Sequence, residues 1–297
     1  MTGVAKSFGR VHALDGVDLC VLPGEIHGFI GPNGAGKTTA IRVLLGILKA
    51  DAGQATIFGQ DVWKDAVAIH QRIAYVPGDV NLWPNLTGGE VIDLFVRLTK
   101  AGDKTYRDQL IERFDFDPTR KCGTYSKGNR QKVALIAAFS TDAELYILDE
   151  PTTGLDPLME MVFRECVREV AAKGRTVLLS SHILSEVEQL CDRLSIIRRG
   201  KIVEVGTLRQ MQHLTRNQVH VEATGSLDGL ETLDGVYDVT LGRGEAEFHL
   251  DNSQTAAVMT YLAAQGATRI VSMPPTLEEL FMSHYAQAEP MPHPGQV

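Results

Sequence analysis

Gly31-Pro32-Asn33-Gly34-Ala35-Gly36-Lys37-Thr38-Thr39 decides the fold of this 297-residue chain. Gly31, Gly36, Lys37 and Thr38 fall at the G-x-x-x-x-G-K-[ST] spacing of a phosphate-binding loop. Glycines at 31, 34 and 36 let the backbone turn tightly and bring successive N–H groups against an anionic phosphate chain. Lys37 can reach the β- and γ-phosphates, and the Thr38 hydroxyl can ligate Mg²⁺. The flanks agree. Ile26–Ile30 reads as a short buried strand, and Ile41, Leu44, Leu45 and Leu48 recur at i, i+3, i+4 and i+7, the stripe of an amphipathic helix. That helix would aim its positive N-terminal end at the phosphates. A ligand-free glycine-rich turn is the plain alternative, and the flanks weigh against it.

Composition sets the bounds. The hydrophobic fraction of 44% and charged fraction of 22% are those of an ordinary globular protein long enough for one large and one smaller domain. A formal charge of −8 argues against nucleic-acid binding through bulk charge, so no nucleic-acid partner is expected. Cys20, Cys122, Cys166 and Cys191 show no C-x-x-C or metal spacing and read as free thiols. No signal peptide and no apolar run approaching 18 residues is present, so the chain is not expected to span a membrane by itself.

Upstream of the loop, Val11–Leu14 and Val17–Leu22 read as two strands with Asp15-Gly16 as their turn. Phe8 either packs on the surface or stacks on a planar base, a contact worth on the order of 1–3 kcal/mol. Downstream, Gln54–Phe58 reads as an edge strand and Ile73–Val76 as a strand stopped by Pro77-Gly78-Asp79. Val91, Ile92, Leu94, Phe95 and Leu98 then form a helical face, and Tyr106–Phe114 continues helical, so a helical insert is expected over about 79–138. Ser126 is a plausible cap for the helix Arg130–Phe139, and Gly128 would allow close backbone approach to an anion.

Leu145–Glu150 is an apolar run ending in two acids, a buried strand delivering carboxylates to the sheet edge where ligands bind. Asp149 suits Mg²⁺, while Glu150 faces elsewhere and could orient or deprotonate an attacking water. Thr176–Ser181 predicts another strand, whose end places His182 along the same edge as a candidate γ-phosphate contact. Leu184–Cys191 is helical, and Leu194–Ile197 with Ile202–Glu204 predicts a hairpin. From about Leu214 the pattern changes to strands at Val219–Val221, Val236–Leu241, Glu245–Leu250 and Arg269–Ser272, a helix at Thr255–Ala264, and a last helix Leu277–Tyr285 capped by Thr276. That predicts a small α+β domain over 214–285 behind a main domain over 1–213, with 286–297 a disordered tail.

With these pieces in order, Phe8 to Gly206 resembles the ATP-binding subunit of an ABC transporter. The resemblance rests on Gly31–Thr38, Leu148-Asp149-Glu150, Gly154-Leu155-Asp156, His182 and the segment Tyr125–Asn129. It implies an α/β P-loop NTPase core of the ABC type with a helical subdomain, binding ATP and Mg²⁺ and hydrolysing ATP. It implies adenine packing on Phe8, and nucleotide contacts from Pro32, Asn33, Ala35, Thr39 and Asp156. It also implies that Ser126, Lys127, Gly128 and Asn129 reach the γ-phosphate held by a second copy of the chain. Tyr125-Ser126-Lys127-Gly128-Asn129 departs from the family's Leu-Ser-Gly-Gly-Gln, keeping the hydroxyl and one glycine and adding a positive charge. Gly78 stands where the family carries a glutamine that senses Mg²⁺ and the membrane subunit, which makes Asp79 a further metal candidate.

The resemblance implies a head-to-tail dimer with two nucleotides at its interface, opened by hydrolysis through Glu150 and His182. Membrane-spanning permease chains would be separate and the subunit would sit on the cytoplasmic face of the membrane. The segment Pro274–Phe281 resembles that of bacterial drug and antibiotic exporters. A soluble ABC-type ATPase acting on ribosomes or DNA is the alternative. Such relatives carry two ATPase units or a long coiled coil, and this chain has one phosphate loop and no heptad run. A small-molecule kinase would share the loop but leave Ser126–Asn129 and His182 without a role.

Overall fold

The computed structural model describes residues 1–98, 104–213 and 216–273. The chain divides into two compact units, Met1–Gly206 and Thr207–Val297. The first runs β1 (Thr2–Phe8), β2 (Val11–Val17), β3 (Ile26–Ile30), α1 (Lys37–Leu44), β4 (Ala52–Gln54), β5 (Thr56–Ile57), β6 (Gln60–Asp61), α2 (Ala66–His70) and β7 (Ile73–Val76). It continues with α3 (Gly88–Leu98), α4 (Lys104–Arg113), α5 (Lys127–Phe139), β8 (Leu145–Asp149), α6 (Pro157–Ala172), β9 (Thr176–Ser181), α7 (Leu184–Leu190), β10 (Arg193–Arg198) and β11 (Lys201–Thr207).

Six strands form the central sheet in the order β11-β10-β3-β9-β8-β7. From β10 to β7 every neighbouring pair is parallel. Parallel strands must be buried on both faces, and β3, Ile26 to Ile30, is buried at every position. Because these strands point one way, their C-terminal ends share one edge, the edge at which open α/β sheets bind ligands. β9 lies between β3 and β8, with Ile30 beside Ser181 and Asp149 beside Ser180.

α3, α4 and α5 form the connection from β7 to β8, and their apolar faces share a core with the sheet through Val91, Ile92, Phe114, Val133, Ile136 and Leu148. A second core on the other face joins α1 to Leu14, Phe29, Ile147 and Leu178.

Two local expectations are corrected. The turn of the first hairpin is Gly9-Arg10, because β1 pairs antiparallel with β2 from Phe8↔Val11 to Val4↔Val17. Asp15-Gly16 is instead a bulge: one residue of β1 opposes two of β2 between Lys6↔Leu14 and Val4↔Val17, and Gly16 takes φ +73°. The continuous strand Gln54–Phe58 is broken into β4, paired with β1, and β5, paired with β6. Phe58 and Gly59 both adopt positive φ, which ends β5 early.

The second unit contains α8 (Leu208–His213), β12 (Asn217–Ala223), β13 (Val236–Leu241), β14 (Glu245–Leu250), α9 (Thr255–Ala264) and β15 (Ala267–Met273). Its sheet is antiparallel in the order β13-β14-β12-β15. Val219, Val221, Phe248 and Leu250 meet Val258 and Leu262 of α9 in one core, while alternate residues face away, the period-two pattern of an α+β domain. The expected helix Leu277–Tyr285 and tail 286–297 lie outside the described residues.

Candidate functional site

Lys37 begins α1 directly after the glycine loop, and its ammonium is drawn inward, 5% exposed. It donates to the carbonyls of Gly31 at 2.7 Å and Pro32 at 3.4 Å and pairs with Glu150 Oε1 at 3.2 Å. Glycine is required here on steric grounds. A Cβ at Gly31 would lie 2.3 Å from the Ile197 carbonyl oxygen, and Gly36, at φ +115°, rests against the Ala13 carbonyl of β2. The loop is thus wedged between β10 and the first hairpin, with Ala35 buried and Asn33 and Gly34 exposed. The first-turn N–H groups of α1 have no acceptor upstream in the helix. A buried ammonium, glycines in left-handed conformation and free amides are what a phosphate chain requires.

Asp149 and Glu150 leave the tip of β8 in different directions. Asp149 is 2% exposed and its Oδ1 accepts the Ser180 hydroxyl of the neighbouring strand. Glu150 adopts φ +47°, unusual for a residue with a Cβ, and is held there by its N–H donating to the Ser180 carbonyl at 3.0 Å. Conformations of this kind cost about 1–3 kcal/mol and cluster at functional sites. Here it turns the carboxylate toward Lys37 on one side and toward His182 on the other, Oε2 to Nδ1 at 3.3 Å. His182 is 45% exposed, open to an incoming ligand.

Lys37, Glu150 and His182 therefore converge across three adjacent strands. Thr38 is half-buried on the first turn of α1, and Thr39 follows it. Among the described residues no group of three or more His, Cys, Asp or Glu could hold a metal ion alone. Thr38 and Asp149 still fit Mg²⁺, which is commonly held by one or two protein oxygens with substrate phosphates and water completing its shell. Asp79 is exposed and its carboxylate accepts from Asn81 at 3.3 Å. A Cβ at Gly78 would come 3.1 Å from the Asp149 carbonyl oxygen, so a larger residue there would press on the β8 tip.

The segment Ser126–Asn129 stands apart. Among the described residues no hydrogen bond or ion pair joins it to Gly31–Thr39. Ser126 caps α5, its Oγ accepting the Asn129 N–H at 3.3 Å, and Lys127 is exposed. The room left by the missing side chain of Gly128 is filled from within the chain: a Cβ there would lie 2.3 Å from the Gly154 carbonyl oxygen. One turn on, the fully buried Gln131 donates Nε2–H to the Pro151 carbonyl at 3.0 Å. Asp156 caps α6, its carboxylate accepting the Met159 N–H at 3.0 Å, with Pro157 at the first helical position. Phe8 ends β1, half exposed, with the Lys6 ammonium 5.7 Å from its ring centre.

Ser180, Gln131 and the helix α6 went unforeseen. The pair Asp156-Pro157 carries a cap and an N-terminal proline and could have revealed α6. Ser180 is found only once the register with Asp149 is known. Ser180→Ala should cost about 2 kcal/mol by leaving Asp149 short of a partner, lowering the melting temperature by roughly 4–8 °C in a thermal scan. A second polar set, Glu25, His27 and Ser195, has the order of a hydrolytic triad, with His27 Nδ1 2.9 Å from Glu25 Oε1 and Nε2 2.9 Å from Ser195 Oγ. His27 and Ser195 are fully buried, and burial holds the imidazole pKa down, so no substrate reaches them and the set is a rivet of the sheet.

The family described as "ABC transporter" matches residues 14–153, and the family "ATP-binding protein DrrA1-3-like, C-terminal domain" matches residues 206–285. A relative from Streptomyces coeruleorubidus, the daunorubicin resistance ATP-binding protein DrrA3, is 38% identical over 80% of this chain and 78% of its own. Among solved structures, an ATP-binding subunit of an ABC transporter superposes with a TM-score of 0.67 at 30% identity, covering 72% of this chain and 91% of that one. A dimeric bacterial ABC transporter cassette superposes with a TM-score of 0.65 at 21% identity, over 70% of this chain and 97% of that one.

Proposed function

The chain belongs to the ABC transporter ATP-binding family, and from that premise we propose that it is the ATP-hydrolysing subunit of a drug or antibiotic exporter, working as a head-to-tail dimer of itself. The convergence of Lys37, Glu150 and His182 on one sheet edge carries the reading. Lys37 and the loop amides, from Gly31 to Thr39, bind the phosphates, and Phe8 packs on adenine. Thr38 and Asp149 would hold Mg²⁺, which when bound would offset negative charge on the phosphate oxygens. Glu150 takes a proton from water as the water oxygen bonds to the γ-phosphorus. The bond from that phosphorus to the β–γ bridging oxygen breaks, leaving ADP and phosphate. His182, already beside Glu150, contacts the γ-phosphate.

The segment Ser126–Asn129, exposed at Ser126 and Lys127, serves the nucleotide of the other subunit. Its separation from the chain's own loop supports this, as does the dimeric form of the similar cassette. Ser126→Ala should therefore lower turnover about 10–100-fold, the loss of a hydrogen bond to a charged group, while ATP affinity of the isolated monomer stays within about twofold. A collapse of monomer binding would overturn the assignment.

Among the described residues no helix is long and apolar enough to cross a membrane. Attachment at the cytoplasmic face through a separate permease fits an apolar groove of about 500 Å³ beside the helical insert. Tyr75, Pro77, Leu82, Phe95, Leu98 and Ala134 line it, and Leu98 is among the most exposed apolar residues of the chain. Drug export rests on the similarity to the Streptomyces daunorubicin resistance protein. Affinity isolation from membranes, followed by ATPase assays with candidate compounds, tests the whole. A co-isolated multi-span protein and drug-stimulated turnover are expected; ribosomes or DNA in its place would refute it.

A further inference from the structure

Behind the exposed His182 lies a buried acid that the mechanism does not use. Glu186, in α7, is 6% exposed, and its Oε2 accepts the Ser181 hydroxyl at 2.8 Å. The same Ser181 oxygen accepts the Ile183 N–H at 2.9 Å. Residues 181 and 183 are thus both tied, through one hydroxyl, to one carboxylate, and His182 is the residue between them. Among the described residues Glu186 Oε1 makes no well-formed hydrogen bond, the Thr152 hydroxyl being only a weak neighbour of the carboxylate. A buried carboxylate so sparsely bonded is costly to keep for packing alone, since Leu or Met would fill the same volume at lower cost.

We propose that Glu186 is a positioning residue for His182, holding the Ser181-His182-Ile183 turn so that the imidazole meets Glu150 and the γ-phosphate. The proposal rests on the reading of His182 given above. Glu186 also sits where it can respond to acid. Burial pushes its carboxyl up to about 6, with Glu160 of α6 adding to the rise. The Ser181 and Thr152 hydroxyls and Arg164 of α6 pull the other way, and Cys191 faces it from the end of α7. A raised folded pKa in an acid means the charged form is the strained one. Below about pH 6 the carboxylate takes a proton and its hold on the Ser181 hydroxyl weakens.

The test is steady-state ATP turnover of the full chain from pH 5.5 to 8.5, with nucleotide affinity from a fluorescent ATP analogue. Glu186→Gln keeps the shape and can still accept from Ser181, but it cannot titrate. It should lower kcat about tenfold at pH 7.5, leave nucleotide affinity within about twofold, and flatten the fall of kcat on the acid side. Ser181→Ala cuts the same link from the other end and should give a similar loss, with the double variant no worse than either single one. Wild-type kcat and pH profile in Glu186→Gln, or losses that simply add, would overturn the proposal. His182→Ala separates the two readings. If it turns over ATP at the wild-type rate, the role of His182 falls. If it is crippled while Glu186→Gln behaves as wild type, only the role of Glu186 falls.

Discussion

Glu150→Gln is expected to slow ATP hydrolysis by roughly 10²–10⁴-fold, the usual contribution of a positioned general base, with ATP binding retained. The substitution keeps the size of the side chain and its place at the tip of β8, where the left-handed backbone of residue 150 is pinned to Ser180. What it removes is the capacity to take a proton and the charge that meets Lys37 and His182. Phosphate release and nucleotide affinity, measured separately, decide the matter. Near-normal turnover would remove Glu150 from the base role, and lost binding would make it a structural anchor.

Lys37→Met should act on the other parameter. The ammonium is the charged donor closest to the glycine loop, held at two of its carbonyls and at Glu150. Hydrogen bonds to charged groups contribute about 1.5–3 kcal/mol each, which corresponds to roughly a 10–150-fold weaker Kd for ATP. Methionine preserves the length and apolar stem of a side chain that is almost wholly buried, so folding should survive and the loss should be read in affinity. A Kd within about twofold of wild type would show that the backbone amides bind the phosphates unaided.

Much of this arrangement could be read before any coordinates. The strand–loop–helix around Lys37 announces itself because its chemistry is consecutive in the chain: glycines for close approach, a lysine, a hydroxyl, then a helical stripe. The acids ending β8 and the histidine after β9 are legible for a related reason, since a parallel sheet sends the ends of its strands to one edge. Contacts made sideways were not legible. Ser180 meets Asp149, Gln131 meets Pro151, and Glu186 reaches Ser181 only because packing sets the register and spacing between elements. The first hairpin misled because Asp15-Gly16 has turn chemistry and was used as a bulge, while the less conspicuous Gly9-Arg10 made the turn. Gly128 carries a second constraint that the sequence does not show. A glycine expected to admit an anion is demanded by a carbonyl of its own chain, so even Gly128→Ala would disturb packing and is no clean probe of the second subunit.

The attachment of α5 to the turn that follows Glu150 has a mechanical corollary. Its tip faces outward while its first full turn is bolted to Pro151, the peptide neighbour of the acid. Displacing that tip would therefore strain the backbone adjoining the acid through this one bond.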